Sequence, residues 1–400
     1  VARAKCGSVG KRIFRTAGEK GVMRRQISSS SEDRQFRQYI LALFDAPDRQ
    51  SLFEALSRLD VPRPYYARMK VVFSEQPPVD VVDRMVGSGR LQRLSKTSPV
   101  FLHKTGVGGD VRRRVQVPFA VLPFADVSPD GAVQAIVSVC KADEWQVLRR
   151  CIRSAYPKLV PILLSQAELM GAAKRLGELT SHSVQVRCLS AKERIAVPKS
   201  RARKTVREWT DEELDKVLMT VQDRHQLITS IDLEFFPRTA EQLHVVPSAV
   251  CRVRRSGEIE VDGSFALAFS TVANDVAAVG QKKLAFYAGR GLRQADYKPR
   301  PIAVTYAQPV FEDTAVVRGL VSLLTKYPHS MHAVIHGNPY AHVSVTDAHD
   351  FSSFEVWAIP PSKLAILPGL QASSAAFERL VDFVFERFRE GALTEYNHGS

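Results

Sequence analysis

From Glu32 onward apolar residues recur every three or four positions. Phe36, Ile40, Leu41, Leu43 and Phe44 fall on one face, a spacing that predicts an amphipathic helix ended by Asp45-Ala46-Pro47. Leu52, Phe53, Leu56 and Leu59 repeat the pattern over a second helix beginning at Asp48. Two further helices are expected after Pro64 and after Pro78, the latter closed by Gly87-Ser88-Gly89. Residues 32–98 therefore read as a helical block.

From Pro99 the period shortens. Residues 100–103, 111–121 and 132–140 alternate apolar with polar or run continuously apolar between Gly- and Pro-containing turns, as strands do. A helix at 142–155, a short strand at 159–164, a helix at 165–179 and a strand at 183–189 follow. Residues 99–190 thus predict a mixed α/β domain. Thr210, with Asp211, Glu212 and Glu213 in the first turn, caps a helix that opens a second α/β domain over 210–395. Its strands are expected at 250–255 and 258–261 about Ser256-Gly257, then at 302–307, 331–335, 340–345, 354–359 and 364–367, with helices at 271–287 and 315–326. The last helix, 373–389, aligns Phe377, Leu380, Val381, Val384, Phe385 and Phe388 into a core-facing stripe. The fold class is α/β of the α+β kind: a helical N-terminal block, then two mixed-sheet domains joined by a basic linker at 191–209.

Charge sharpens this outline. The 400 residues carry 56 Lys+Arg against 42 Asp+Glu, a formal +14. Residues 1–31 hold eight cations against Glu19 alone, and residues 187–207 hold eight more against Glu193 alone. Each segment contributes +7, so the remainder is neutral on balance. The first is Arg- and Ser-rich and nearly free of acids, the composition of a mitochondrial targeting segment or of a basic tail, which points to the mitochondrial matrix. The second, Lys199-Ser200-Arg201-Ala202-Arg203-Lys204 extended by Arg207, supplies cations on flexible stems and guanidinium forks suited to phosphate oxygens, with Trp209 beside it for stacking. Nucleic-acid phosphate is the partner that such local concentration implies.

A second set of cations, Arg252, Arg254, Arg255, Lys282, Lys283, Arg290, Arg293, Lys298 and Arg300, lies in the C-terminal domain. Arg252 and Arg254 share a strand face, and Gly289-Arg290-Gly291 is a permissive turn able to wrap an anion. Were these to converge, they would hold a multiply charged phosphate such as a 5′-triphosphate. Glu258 and Glu260, also on one strand face, could instead hold a divalent metal over a triphosphate, as in tunnel-type RNA triphosphatases. Those enzymes look for a basic residue two positions on, where this chain has Asp262. His332 and His336 are expected on one strand face with His342 across the hairpin, and His329, His349, Asp347 and Asp350 lie nearby; that cluster could bind a metal or act as a general base.

Other chemistry is argued against. The five cysteines are odd in number, scattered and without a C-x-x-C pair, as in a reducing compartment. No phosphate-binding P-loop, nucleophile elbow or dinucleotide fingerprint is present, so no cofactor is expected. No apolar run approaches the roughly 18 residues that span a bilayer, so no membrane partner is expected.

In its layout of organelle-type leader, basic linker and cation-rich second domain, and in Cys251-Arg252-Val253-Arg254-Arg255 and His336-Gly337-Asn338-Pro339-Tyr340, the chain resembles the guide-RNA-associated subunits of the kinetoplastid mitochondrial editing substrate-binding complex. The resemblance implies a non-catalytic protein that pairs with a related subunit and recognises the 5′-triphosphate of guide RNA. A metal-dependent phosphohydrolase and a structural or assembly protein of the mitochondrial ribosome are the alternatives.

Overall fold

Ser29 starts the first helix: its hydroxyl accepts from the amide of Glu32 at 3.2 Å, and α1 (Ser30–Phe44) buries Ile40 and Phe44. Asp48 caps α2 (Arg49–Ser57) through the amide of Ser51 at 2.8 Å. The computed structural model describes residues 27, 29–46, 48–86, 91–94, 100–106, 114–193, 205–208, 226–238, 247–290, 300–336, 341–369 and 371–396.

The helix expected after Pro64 is a strand. β1 (Tyr66–Phe73) lies deep inside the first sheet, buried from Ala67 onward. Its period is two: Ala67, Met69 and Val71 face one core, while Arg68, Lys70 and Val72 face the other side. Residues 32–98 are therefore not all helical. After α3 (Pro78–Met85) come β2 (Leu91–Arg93), β3 (Val100–Gly106), β4 (Arg114–Pro123), β5 (Val133–Cys140), α4 (Ala142–Arg153), β6 (Val160–Pro161), α5 (Gln166–Leu179), β7 (His182–Glu193), β8 (Thr205–Glu208), β9 (Gln226–Pro237), β10 (Ala249–Arg254) and β11 (Glu258–Gly263). The first sheet runs β2-β3-β4-β5-β1-β11-β10-β9-β7-β8, with β6 also on β1, and every pairing in it is antiparallel.

This order changes the meaning of the expected linker. β7 and β8 flank residues 194–204 and pair with each other, Leu189 opposite Arg207, while β7 also pairs along β9. The chain leaves and re-enters one sheet there, and the strands that follow complete the sheet begun at Tyr66. β9 itself falls where the pattern assigned no element.

α1, α2, α5 and the segment α6 (Phe265–Ala268), one π-turn (Phe269–Ala273) and α7 (Asn274–Tyr287) cover one face of the sheet. On the other face α3 and α4 cover only part: Trp145, Leu148 and Ile152 of α4 bury against Phe119, Val121 and Ile136. The face of β11, β10 and β9 continues beyond them.

The second sheet, also antiparallel, has the order β13-β14-β15-β16-β12-β17: β12 (Ile302–Thr305), β13 (Ser330–His336), β14 (His342–Asp347), β15 (Ser353–Ile359), β16 (Lys363–Pro368) and β17 (Ala392–Glu395). α8 (Thr314–Leu324) and α9 (Ser374–Arg387) pack on it, and the expected stripe Phe377, Leu380, Val381, Val384 and Phe385 faces its core. The architecture is thus α+β: N-terminal helices and two antiparallel sheets with helices packed on them. No helix among the described residues is long and apolar enough to cross a membrane.

A candidate nucleic-acid interface

Where α4 stops, charged side chains cover the first sheet. Strand register fixes their neighbours: Lys70 stands opposite Glu258, Arg68 opposite Glu260, Arg252 opposite Glu260 on its other side, and Asp232 opposite Arg252. Four strands thereby lay cations and carboxylates side by side on one face. The β10–β11 hairpin sets the height of Glu258. Gly257 at its tip has φ +68°, and a Cβ there would meet the Ile162 carbonyl at 2.6 Å, so only glycine fits. The Gly257 carbonyl accepts from the Val71 amide at 3.1 Å, and Lys70 Nζ donates to the Ser256 carbonyl at 3.3 Å.

Arg252 grips Asp232 with both arms of its fork, Nε and Nη2 at 2.8 and 2.7 Å; these hydrogen bonds raise the guanidinium pKa further. Glu260 receives Arg68 and, at 3.8 Å, Arg252. Glu258 is 3% exposed and meets three cations: Lys70 at 3.5 Å, Arg254 at 3.6 Å and Arg149 of α4. One helical turn on, Arg153 adds a fourth positive charge to the neighbourhood, with no carboxylate partner among the described residues. Five cations (Arg68, Lys70, Arg149, Arg252, Arg254) thus share three carboxylates, with Arg153 beside them.

The imbalance acts on the groups themselves. Burial, opposed by Glu258 but reinforced by Arg149 and Arg153, pulls the Lys70 ammonium down to about 8. Burial and the neighbouring Arg153, Arg254 and Arg68 likewise lower Arg149, despite Glu258. The buried Nε of Arg68 has no hydrogen-bond partner among the described residues. Arg149, Arg252 and Arg254 reach solvent, with side chains 26%, 35% and 37% exposed, and an anion bound to them relieves the repulsion among the cations of this face.

The expected site residues divide as follows. Arg252 and Arg254 belong to this face. Arg207 stands in β8 at the same sheet's edge. Lys199, Arg201, Arg203, Lys204, Trp209, Arg293 and Lys298 lie outside the described residues. Lys282 is exposed on α7. Lys283 serves a different set of carboxylates, Glu378 at 3.4 Å and Glu168 at 3.5 Å, and donates to the Leu163 carbonyl. Arg290 is 2% exposed and is spent on structure: it holds Glu395 of β17, donates to the carbonyls of Phe286 and Arg300, and lies 4.3 Å from the Phe286 ring centroid. Arg300 reaches the same Glu395 at 3.5 Å. Among the described residues, Arg252 and Arg254, Lys283, and Arg290 with Arg300 therefore serve three separate groups of acids rather than lining one pocket. Pattern reading missed Arg68, Lys70, Arg149 and Arg153; the alternation of Arg68 and Lys70 with Ala67, Met69 and Val71 was the available signal.

Nor do the histidines gather as expected. The β13 register shifts between Val334 and His336, so His332 pairs with Val345 on the core side and His336 with His342 on the outer side. The irregularity breaks the alternation that would have kept His332 and His336 together. His342 stacks on Trp357 at 3.9 Å and bonds Glu355 at 2.7 Å. His349 instead joins Asp347, which is fully buried and bonded by Arg379 at 2.9 Å, Tyr156 at 3.3 Å and Tyr327 at 3.4 Å. A cavity of about 280 Å³ lies there, lined in part by Arg153, Tyr156, His329, His349 and Arg379. No group of three or more metal-ligating side chains is placed to hold a metal ion among the described residues.

The chain matches no protein-family model and no curated protein sequence.

Proposed function

We propose that the protein is a non-catalytic RNA-binding subunit of a mitochondrial ribonucleoprotein, holding RNA through its phosphates. The observation that carries this reading is the surplus of cations over carboxylates on the open face of the first sheet. In strand order that face leads from β1 through β11, β10 and β9 to β7 and β8, whose connection is the basic stretch 194–204. The open face and the two strands that flank the basic stretch thus belong to one sheet, which suits a polyanion longer than a single phosphate. The finer reading, guide RNA held by its 5′-triphosphate during RNA editing beside a related subunit, rests on the resemblance in layout. Glu258 and Glu260 weigh against the phosphohydrolase alternative, because their oxygens already face Lys70, Arg68, Arg149, Arg252 and Arg254.

Fluorescence anisotropy with single-stranded RNA at two salt concentrations tests the phosphate claim. Affinity that falls steeply with salt is the expected result; a flat response removes it. The same RNA carrying a 5′-triphosphate or a 5′-hydroxyl tests the finer reading, which requires tighter binding of the former. Magnesium- or manganese-dependent phosphate release that Glu258→Ala abolishes would replace the binding reading with an enzymatic one.

A further inference from the structure

A sheet edge leaves one row of backbone N–H and C=O groups unpaired, and folded proteins ordinarily blunt it by shortness, charge or cover. Two described edges here follow that rule. β2 is three residues long, with Arg93 tied to Asp83 at 2.9 Å. β17 is four residues long and held at Glu395 by Arg290. A third, β8, is four residues long and includes Arg207 and Glu208.

β13 follows none of these. Ser330–His336 is seven residues long, has no Lys, Arg, Asp, Glu or Pro, and is exposed on both faces from Met331 to His336. Met331 is 58% exposed, Ile335 49% and Val334 46%, and Trp357 two strands away is 42% exposed. Val343 and Val345 of the neighbouring β14 are fully buried on the core side, yet His332 and Val334, their partners in register, are not. The helical layer stops one strand short and leaves a notch along the edge.

We propose that β13 is a dimerisation edge, on which the second sheets of two copies of this chain join by antiparallel β13–β13 pairing. The occupant follows from charge and symmetry. An uncharged strand offers no pattern with which to select a charged partner, whereas a second copy brings an equally uncharged strand to it. On a chain of formal charge +14 this strand is a long stretch where two copies meet without opposing like charges. The strand is also self-complementary. A two-fold axis at Ala333 sets Met331 opposite Ile335 and His332 opposite Val334, with the smallest side chain of the apolar set at the axis. Both copies then satisfy their edge backbone groups and cover their apolar residues with one surface, as an isologous interface requires.

Light scattering coupled to size exclusion tests this on the full chain, after nuclease and high salt have removed RNA that could bridge molecules. Twice the chain mass is expected for the natural sequence, and a single chain mass for Val334→Lys, which opposes like charges, and for Ala333→Pro, which removes a ladder N–H. Circular dichroism unchanged in both variants separates loss of pairing from loss of fold, since the altered side chains are exposed. Ala333→Cys should form an intermolecular disulfide across the axis under mild oxidation. A natural chain that stays monomeric at its highest attainable concentration overturns the proposal, as does recovery of β13 paired only with a strand from another protein. A dimer that survives both edge variants, with no crosslink from Ala333→Cys, overturns it too.

Discussion

The first sheet meets charge in two places, and the two are balanced differently. At the seam with α9 every cation meets at least one carboxylate of its own, and the carboxylates outnumber the cations. Glu378, Asp382, Glu386 and Glu390 recur every fourth residue from α9 onward, opposite the helix's apolar stripe, and they receive Lys283, Arg255 and Lys192. Glu378 also accepts from the Leu163 amide at 3.0 Å and the Tyr287 hydroxyl at 3.1 Å. On the open face, five cations share three carboxylates, and Arg153 adds a further positive charge beside them. Burial raises Glu378 and Asp382 above their ordinary values, and Lys283 and Arg255, which burial alone would lower, are held above theirs by the acids they meet. On the open face Lys70 and Arg149 are pulled below theirs. Cations that each have a carboxylate join one part of the protein to another, whereas cations in surplus are available to something else. Position in sequence does not separate the two uses: Arg254 belongs to the open face and Arg255, its neighbour, to the seam.

The largest expected effect lies at the seam. Glu378→Ala leaves the Lys283 ammonium and the Tyr287 hydroxyl buried beside a vacated site. Breaking one side of such a pair costs about 3–5 kcal/mol, read as a lower midpoint in urea unfolding. Replacing both partners, Glu378→Leu with Lys283→Met, should recover more than half of that loss. A single Glu378→Ala variant as stable as the natural chain would show that the seam is not held by paired charge.

The open face should respond chiefly in binding. Arg149→Ala with Arg254→Ala removes two of the three cations paired with Glu258 and should lower the unfolding midpoint less than Glu378→Ala does, because Lys70 stays with the carboxylate. It should weaken binding of single-stranded RNA, making the slope of log affinity against log salt shallower by about 1.4, at roughly 0.7 for each phosphate no longer neutralised. The companion variant Lys282→Ala alters an exposed cation outside both groups and should change neither quantity. If Lys282→Ala flattened the slope as much as the double variant, the contrast between the two charged regions would not describe where RNA binds.

How much of this was legible follows from what each residue competes with. The helix start at Asp48, the apolar stripe of α9 and the β10–β11 hairpin about Ser256-Gly257 could all be read, because local chemistry and tertiary packing agree there. β1 could not, because Arg68 and Lys70 look like a solvated helical face until Glu260 and Glu258 are brought opposite them from about 190 residues away. The acidic row of α9 was equally visible as a four-residue repeat, but a four-residue repeat of acids is also what a solvated helix surface carries. Arg252 and Arg254 were correctly placed on one face, since alternation is local. That Arg290 locks a strand instead of greeting an anion depends on Glu395, which no local pattern connects to it.

The smallest expected effect is a titration that only the open face should show. The free Lys70 ammonium is held down to about 8 by burial, against Glu258 and with Arg149 and Arg153 adding to the descent. A bound phosphate favours the charged form and moves that value back toward its ordinary 10.5. Below pH 8 Lys70 is charged with or without RNA, so affinity there is at its greatest and independent of this group. As pH rises past 8 the free protein must take up a proton to bind, and affinity declines until the pKa of the bound state is reached. At pH 9 the loss is at most about tenfold, since one unit of proton linkage is about 1.4 kcal/mol. Lys70→Met should abolish this decline while keeping the salt dependence carried by the arginines. Affinity that stays level from pH 7 to pH 9 in the natural chain would mean that RNA does not reach Glu258 and its cations, confining binding to the basic stretch at the β8 edge.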